Sequence, residues 1–226
     1  VWSPGVWLEG SNRPWKHGPA PARALIIGPP AIEGESAAAF PPLPDAMREA
    51  RAVATLFPRV TFLAGKQATL EAIEREMPVA EVFHFAGHGF SNASGGGLIL
   101  ASSQGGREPA VLDSRRIRQM QFRECRLAVL SACSTGTGEN DELVDPEDLA
   151  SSFLRAGVRA VIAARWRIDS TATASLMSDF YEALLAGREP EQALRDAASQ
   201  LRRRPGTGHP YYWAAFSTFG SRNVID

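Results

Sequence analysis

Two short segments carry the residues best equipped for chemistry. One reads Phe83-His84-Phe85-Ala86-Gly87-His88-Gly89 and the other Leu130-Ser131-Ala132-Cys133-Ser134-Thr135-Gly136. Each is an apolar run that ends on a reactive residue followed by small ones. An open α/β sheet delivers side chains to its carboxyl edge in this way and places its sites there. A thiol at Cys133 meeting an imidazole at His88 is the minimal equipment for nucleophilic catalysis. A cysteine thiol is only slightly ionised at neutral pH, and a partner imidazole raises its reactivity. His88 can then return a proton to a leaving amine. The developing oxyanion needs donors aimed in advance, and the backbone N–H groups of Gly89 and Cys133 are the candidates. Glycine at 89 lets backbone approach a substrate with no Cβ in the way. Ala132, Ser134 and Gly136 keep the surroundings of Cys133 small.

These residues need a scaffold, and the hydrophobic pattern supplies one. Buried strands are expected at Ala24–Gly28, stopped by Pro29 and Pro30, then at Val60–Leu63, Val82–Ala86, Leu127–Leu130, Val158–Ala164 and Ala214–Phe219. Helices are expected at 45–56 with Asp45 as cap, from Thr69 to Pro78, from about Asp113 to Met120, and over 147–156, 170–186 and 190–203. Gly157 ends the fourth of these, and Pro190 opens the last. Gly95-Gly96-Gly97 before Leu98-Ile99-Leu100-Ala101 suggests a hairpin-like excursion. Residues 30–44 read as a Pro-, Ala- and Gly-rich loop. Strands alternating with helices imply an α/β fold: a mostly parallel central sheet with helices on both faces. Residues 1–22 read as an irregular arm or linker remnant, and 23–226 as one domain.

Bulk composition excludes several function classes. The chain has 226 residues, enough for one large α/β domain. Its net charge is −1, so no overall field recruits nucleic acid or an anionic membrane. No apolar run is long enough for a transmembrane helix. Of the 24 basic residues all but Lys16 and Lys66 are Arg, which fits a genomic composition bias. Cys125 and Cys133 fall at opposite ends of one expected strand, so they should not pair. That favours a reducing, cytoplasmic setting with one usable thiol. The sequence begins Val1-Trp2-Ser3-Pro4, without initiator Met or signal peptide, and is expected to be a piece of something larger.

Other reactive types have plainer roles. His84 alternates with Phe83 and Phe85 and is expected to be a core histidine that orients His88 or supports the sheet. His209 precedes Pro210 in a loop, where a structural hydrogen bond suffices. Cys125 reads as an inert strand-start residue. His84 and His88 share a strand face, but no further ligand cluster accompanies them, so neither a metal nor another cofactor is expected. Gly136-x-Gly138 could suggest a flavodoxin-like nucleotide site, but the third glycine and the helix entry are missing.

From residue 82 to 219 the sequence resembles the CHAT domain, a caspase-like cysteine peptidase family related to separases, caspases and gingipains. The resemblance is carried by His84-Phe85-Ala86-Gly87-His88-Gly89, Gly97-Leu98-Ile99-Leu100 and Leu130-Ser131-Ala132-Cys133-Ser134-Thr135-Gly136. It continues through Phe153-Leu154-Arg155-Ala156-Gly157-Val158, Arg165-Trp166-Arg167-Ile168-Asp169, Phe180-Tyr181 and His209-Pro210-Tyr211-Tyr212-Trp213. The first third matches only loosely. The resemblance implies a caspase-like fold, with His88 as catalytic histidine and Cys133 as nucleophile of a cysteine endopeptidase. It implies a protein substrate and a regulatory or sensor domain or subunit as partner.

An acidic pocket beside the nucleophile would select Arg or Lys before the cleaved bond. Asp169 matches the family's acidic position after its tryptophan. Trp166 would wall such a pocket or sit in the core. The loop after Cys133 adds Asp141 and Asp145, with Glu139, Glu142, Glu147 and Asp148. The plain alternative is a solvated acidic loop whose last residues favour a helix N-terminus. Ordering of the loop over 134–146 would provide activation. Ser134, Asp148 and Ser170 depart from the family pattern, which touches the pocket and spares the catalytic pair. The rival functional reading is a catalytically silent interaction or scaffold module of the same fold.

Overall fold

The computed structural model describes residues 20–92, 95–103, 106, 108–120, 122–134, 147–166 and 170–220. At Cys133 and Ser134 it is the backbone that is described. Five strands run parallel in the centre: β1 (Arg23–Pro30), β2 (Arg59–Gly65), β3 (Val82–Asn92), β6 (Leu127–Ser134) and β7 (Ala160–Ala164). Their order is β2-β1-β3-β6-β7, and β8 (Phe216–Gly220) closes the edge antiparallel to β7. The expected α/β fold is therefore present.

One face carries α1 (Pro44–Ala54), α5 (Ser170–Leu185) and α6 (Pro190–Arg203) over Ala24, Ile26, Val82, Ala86, Leu127 and Val129. The other carries α2 (Leu70–Glu76), α3 (Ser114–Gln119) and α4 (Glu147–Arg155) over Leu25, Ile27, Phe83, Phe85, Ala128 and Leu130. Side chains of alternate sign along a strand thus feed two separate cores, as the strand period of two requires. Strands buried on both sides read as continuous apolar runs, which is why they were legible.

Local signals explain most element ends. Thr69 Oγ1 accepts from the Ala72 N–H and Asp113 from the Arg116 N–H, each capping the helix that follows. Gly157, at φ +108°, turns the chain after α4. Four expectations need correction. Asp45 is not the cap of α1: Leu43 takes that position, Pro44 opens the helix, and Asp45 falls inside the first turn against Arg48. β1 does not stop at Gly28 but runs on to Pro30, where the ladder with β2 is already irregular and tolerates prolines. The loop after β1 contains a 3₁₀ turn over Gly34–Ala39. A one-turn helix, α7 (Pro210–Trp213), precedes β8, whose start moves to Phe216.

The fifth correction bears on the site. The third strand, expected over Val82–Ala86, does not end before His88. β3 continues to Asn92 and turns antiparallel onto β4 (Gly95–Leu100), which pairs in turn with β5 (Ala110–Asp113). The excursion expected from the glycine run is this hairpin, and it grows directly out of the strand bearing His88.

Candidate active site

The chain leaves β1 toward β2 and leaves β3 toward the opposite side of the sheet, so the carboxyl ends of β1 and β3 flank a topological switch point. His88 lies there. The parallel register pairs His84 with Val129, Ala86 with Ser131 and His88 with Cys133. Val129 and His84 belong to the face covered by α1 and α5, and two-residue periodicity places His88 on that same face, with the Cys133 backbone opposite it in the register. Adjacent strands lie about 4.8 Å apart. The two candidate catalytic residues, 45 positions apart in sequence, are therefore neighbours across one ladder.

His88 is held from the other side by the loop after β1. Its Nε2 lies 2.8 Å from the Pro41 carbonyl oxygen. A carbonyl can only accept, so Nε2 carries the hydrogen and the neutral ring has its lone pair on Nδ1. The Phe40 ring meets the imidazole edge-on, with centroids 5.4 Å apart and planes at 61°. His88 is only 3 % exposed. Fixed tautomer, fixed ring and shielding from bulk water are what a proton carrier beside a thiol needs. The Pro41 carbonyl was invisible in the sequence, because a main-chain acceptor leaves no trace in residue types. The cluster Pro41-Pro42-Leu43-Pro44 was the only hint of a stiff segment.

Gly89 pairs with Leu98 of β4 on one side and with Ser134 of β6 on the other. A Cβ added here would stand 3.0 Å from the Ala132 Cβ and 3.3 Å from the Gly97 carbonyl oxygen. The close flanking of β3 by β4 and β6 thus favours glycine here, a reason independent of substrate approach. Cys125 lies just before β6, 2 % exposed, with its S–H pointing to the Leu127 carbonyl at 3.4 Å. Burial pushes its thiol up to about 12, which leaves it un-ionised and inert.

Trp166 is half-buried, and its Nε1–H donates to the Tyr211 carbonyl at 3.0 Å. It anchors the segment after β7 to α7. His209 Nδ1 accepts from the Tyr211 N–H at 3.2 Å, the structural hydrogen bond expected of it. Asp169, Asp141 and Asp145, with Glu139 and Glu142, lie outside the described residues. Asp148, expected as part of an acidic loop, sits in the first turn of α4. Its carboxylate accepts from the Gly96 N–H at 3.2 Å and from the Ser114 hydroxyl, and lies 3.7 Å from Arg118. It ties α4 to the β4 hairpin and to the start of α3.

His84 Nδ1 lies 3.0 Å from the Tyr181 hydroxyl and Nε2 lies 3.3 Å from Glu49 Oε1. Its two nitrogens and His88 Nε2 therefore face different groups and do not converge on one point. No cluster of three or more metal-ligating side chains occurs among the described residues. A cavity of about 1060 Å³ opens elsewhere on the sheet, lined by Phe62, Leu63, Lys66, Glu71, Ala72 and Arg75 among others. His88 and Gly89 take no part in it.

The family model of the CHAT domain matches residues 6–221. The chain belongs to the CHAT domain family. The match takes in the first third, where the sequence motifs are weak. Tetratricopeptide repeat protein 28 of Mus musculus is 24 % identical to this CHAT domain over 212 residues, which cover 80 % of this chain and 9 % of that protein. The chain thus spans a small part of that relative's length. Among solved structures, the Arg-specific cysteine proteinase gingipain R superposes with a TM-score of 0.54 at 14 % identity, covering 94 % of this chain and 49 % of that one. A complex of Porphyromonas gingivalis RgpB pro- and mature domains gives 0.50 at 13 % identity, covering 92 % and 48 %. At such identities the likeness is one of fold: the CHAT domain has the caspase-like fold of these cysteine proteinases. Among its described residues no helix is long and apolar enough to cross a membrane.

Proposed function

We propose that this CHAT domain is a cysteine endopeptidase acting through His88 and Cys133. The observation that carries the reading is the register that pairs these two residues at a switch point where His88 Nε2 is already committed to the Pro41 carbonyl. In the reaction, His88 takes the thiol proton at Nδ1 and the Cys133 sulfur attacks the scissile carbonyl carbon. Backbone N–H groups of Cys133 and Gly89 serve as oxyanion donors. The C–N bond breaks as His88 gives the proton to the amine, leaving a thioester. Water, deprotonated by His88, then attacks the thioester, releasing the acid and restoring the thiol.

The cleaved bond follows a basic residue in this proposal, with Asp169, Trp166, Asp141 and Asp145 around the pocket. Support comes from the acidic sequence after Cys133 and from the arginine specificity of gingipain R. A further part of the proposal is that a repeat or sensor segment governs the domain. The name of the tetratricopeptide repeat relative, of which the domain spans 9 %, supports it. That same relative also leaves room for a silent scaffold module.

A fluorogenic peptide panel tests the reading, with Cys133→Ala as control and the domain joined to its natural neighbours. Cleavage after Arg or Lys, abolished in the variant, is the expected result. Silence from folded protein would favour the scaffold. Equal cleavage after Asp would overturn the acidic pocket and spare the nucleophile.

A further inference from the structure

A buried polar cluster lies beneath the site and takes no part in the chemistry above. His84 is 0 % exposed and Glu49 is 4 % exposed. The Glu49 Oε1 to His84 Nε2 separation of 3.3 Å is within ion-pair reach, yet among the described residues neither atom has an aligned hydrogen-bond partner. On the other side of the His84 ring stands the Tyr181 hydroxyl of α5, 3.0 Å from Nδ1. Burial, reinforced by the Glu49 carboxylate, pushes the Tyr181 phenol well above its ordinary range, so it remains a neutral hydroxyl. A buried polar pair of this kind adds little stability compared with well-packed apolar side chains, and its best-attested use is to specify one arrangement. Three elements meet at it: α1 through Glu49, β3 through His84 and α5 through Tyr181.

β3 and the strap that leads into α1 meet again at the His88 imidazole. From His84 to His88 is four residues of strand, about 13 Å. From Glu49 back to Pro44 is five residues of helix, about 7.5 Å. Pro41 lies three residues further, a span of at most about 10 Å. That last stretch is Pro41-Pro42-Leu43-Pro44. Proline fixes φ at 42 and 44, and the residues before each, Pro41 and Leu43, are restricted as well. The strap therefore has little freedom to absorb a shift of the helix it opens. The result is a closed bracket: strand on one side, helix and strap on the other, pinned by Glu49–His84 at the base and by Pro41–His88 at the top.

We propose that Glu49, through its contact with His84, is a positioning residue for His88: the pair sets α1 on β3, and the proline strap delivers that placement to the carbonyl that holds His88 Nε2–H. Glu49 was legible in principle. It stands three residues after Ala46 and four before Val53, on the apolar stripe of α1, where a carboxylate has no place by patterning alone.

The inference rests on the reading of His88 as proton carrier, and its test is read on the imidazole itself. In the full chain with ¹⁵N-labelled histidine, long-range ¹H–¹⁵N spectra distinguish the two neutral tautomers. His88 is assigned by its loss in His88→Gln. Wild-type His88 is expected to be a single Nε2–H tautomer at a pH above its titration. Glu49→Ala and His84→Leu are expected to turn it into an exchanging mixture, with kcat down about tenfold and KM little changed. Glu49→Gln, which keeps the length and an oxygen facing His84, is expected to retain the single tautomer. Leu201→Ala, a core truncation on α6 outside the bracket, is expected to retain it too. If Glu49→Ala does not fold, Tyr181→Phe removes only the hydroxyl and should still loosen the tautomer. A folded Glu49→Ala protein with His88 still wholly Nε2–H would overturn the proposal, as would an equal disturbance from Leu201→Ala. A wild-type protein with the fixed tautomer and no peptidase activity counts against the peptidase and leaves the positioning role standing.

Discussion

The crowding at Gly89 can be measured as a coupling between two strands. In Gly89→Ala the new methyl carbon meets the Ala132 Cβ at 3.0 Å and the Gly97 carbonyl oxygen at 3.3 Å. Both separations are tighter than nine in ten real Cβ contacts, and both neighbours are held in ladders, Ala132 in β6 and Gly97 in β4. Overpacking of this sort costs about 1–3 kcal/mol, and two fixed neighbours put the expectation at about 2 kcal/mol. Ala132→Gly alone removes a half-buried methyl and adds backbone freedom, a loss of about 0.5–1 kcal/mol. In the double variant the closest clash is gone while the one with Gly97 remains, so the two losses should not add. A favourable coupling of about 1 kcal/mol is expected between residues in direct contact. Urea unfolding of wild type, both single variants and the double variant measures it. Peptidase assays on the same four proteins show whether activity returns with stability. Simple additivity within about 0.3 kcal/mol would refute the argument that the β6 methyl dictates glycine at position 89.

Three further outcomes rest on the buried thiol and the α4 anchor. The Cys125 thiol rises from 9.0 to about 12 on burial, so between those values the unfolded chain loses a proton that the folded protein keeps. Its contribution is fully present below pH 9.0 and is lost as pH rises toward 12, at about 1.4 kcal/mol per unit. Cys125→Ala should therefore flatten the alkaline fall in stability seen by urea unfolding at pH 7.5 and 10.5. Iodoacetamide at pH 7.5 should label folded protein at Cys133 and spare Cys125, and labelling of both at equal rates would refute the contrast. Asp148→Ala strands the Gly96 N–H and leaves the Ser114 hydroxyl to the Gly96 carbonyl at 3.2 Å, and a loss of about 1–3 kcal/mol is expected in thermal or urea unfolding. An unchanged stability would mean that α4 is held to the β4 hairpin by apolar packing alone.

The pairing of the strands that carry His88 and Cys133, the alternation of strands and helices, and the inert character of Cys125 were all legible in the chain. Each rests on local facts: an apolar run of the right length, a reactive residue at its end, a cap or a proline at a boundary. The strands buried on both faces were the easiest to read, and their short antiparallel neighbour β5 the hardest, because four residues carry no period. Asp45 was misplaced by two positions because proline at the first helical position outweighs an acidic cap candidate. Tertiary structure alone decided what surrounds the pair. It set the register that makes His88 and Cys133 neighbours, extended β3 past His88 into a hairpin, and brought the Pro41 carbonyl and the Phe40 ring onto the imidazole. It also buried Glu49 against His84 and left glycine as the residue that fits at 89. Residue types and spacing report what a side chain can do, but a main-chain acceptor, a crossing distance or a partner on a helix forty residues away exists only once the crossovers have been placed.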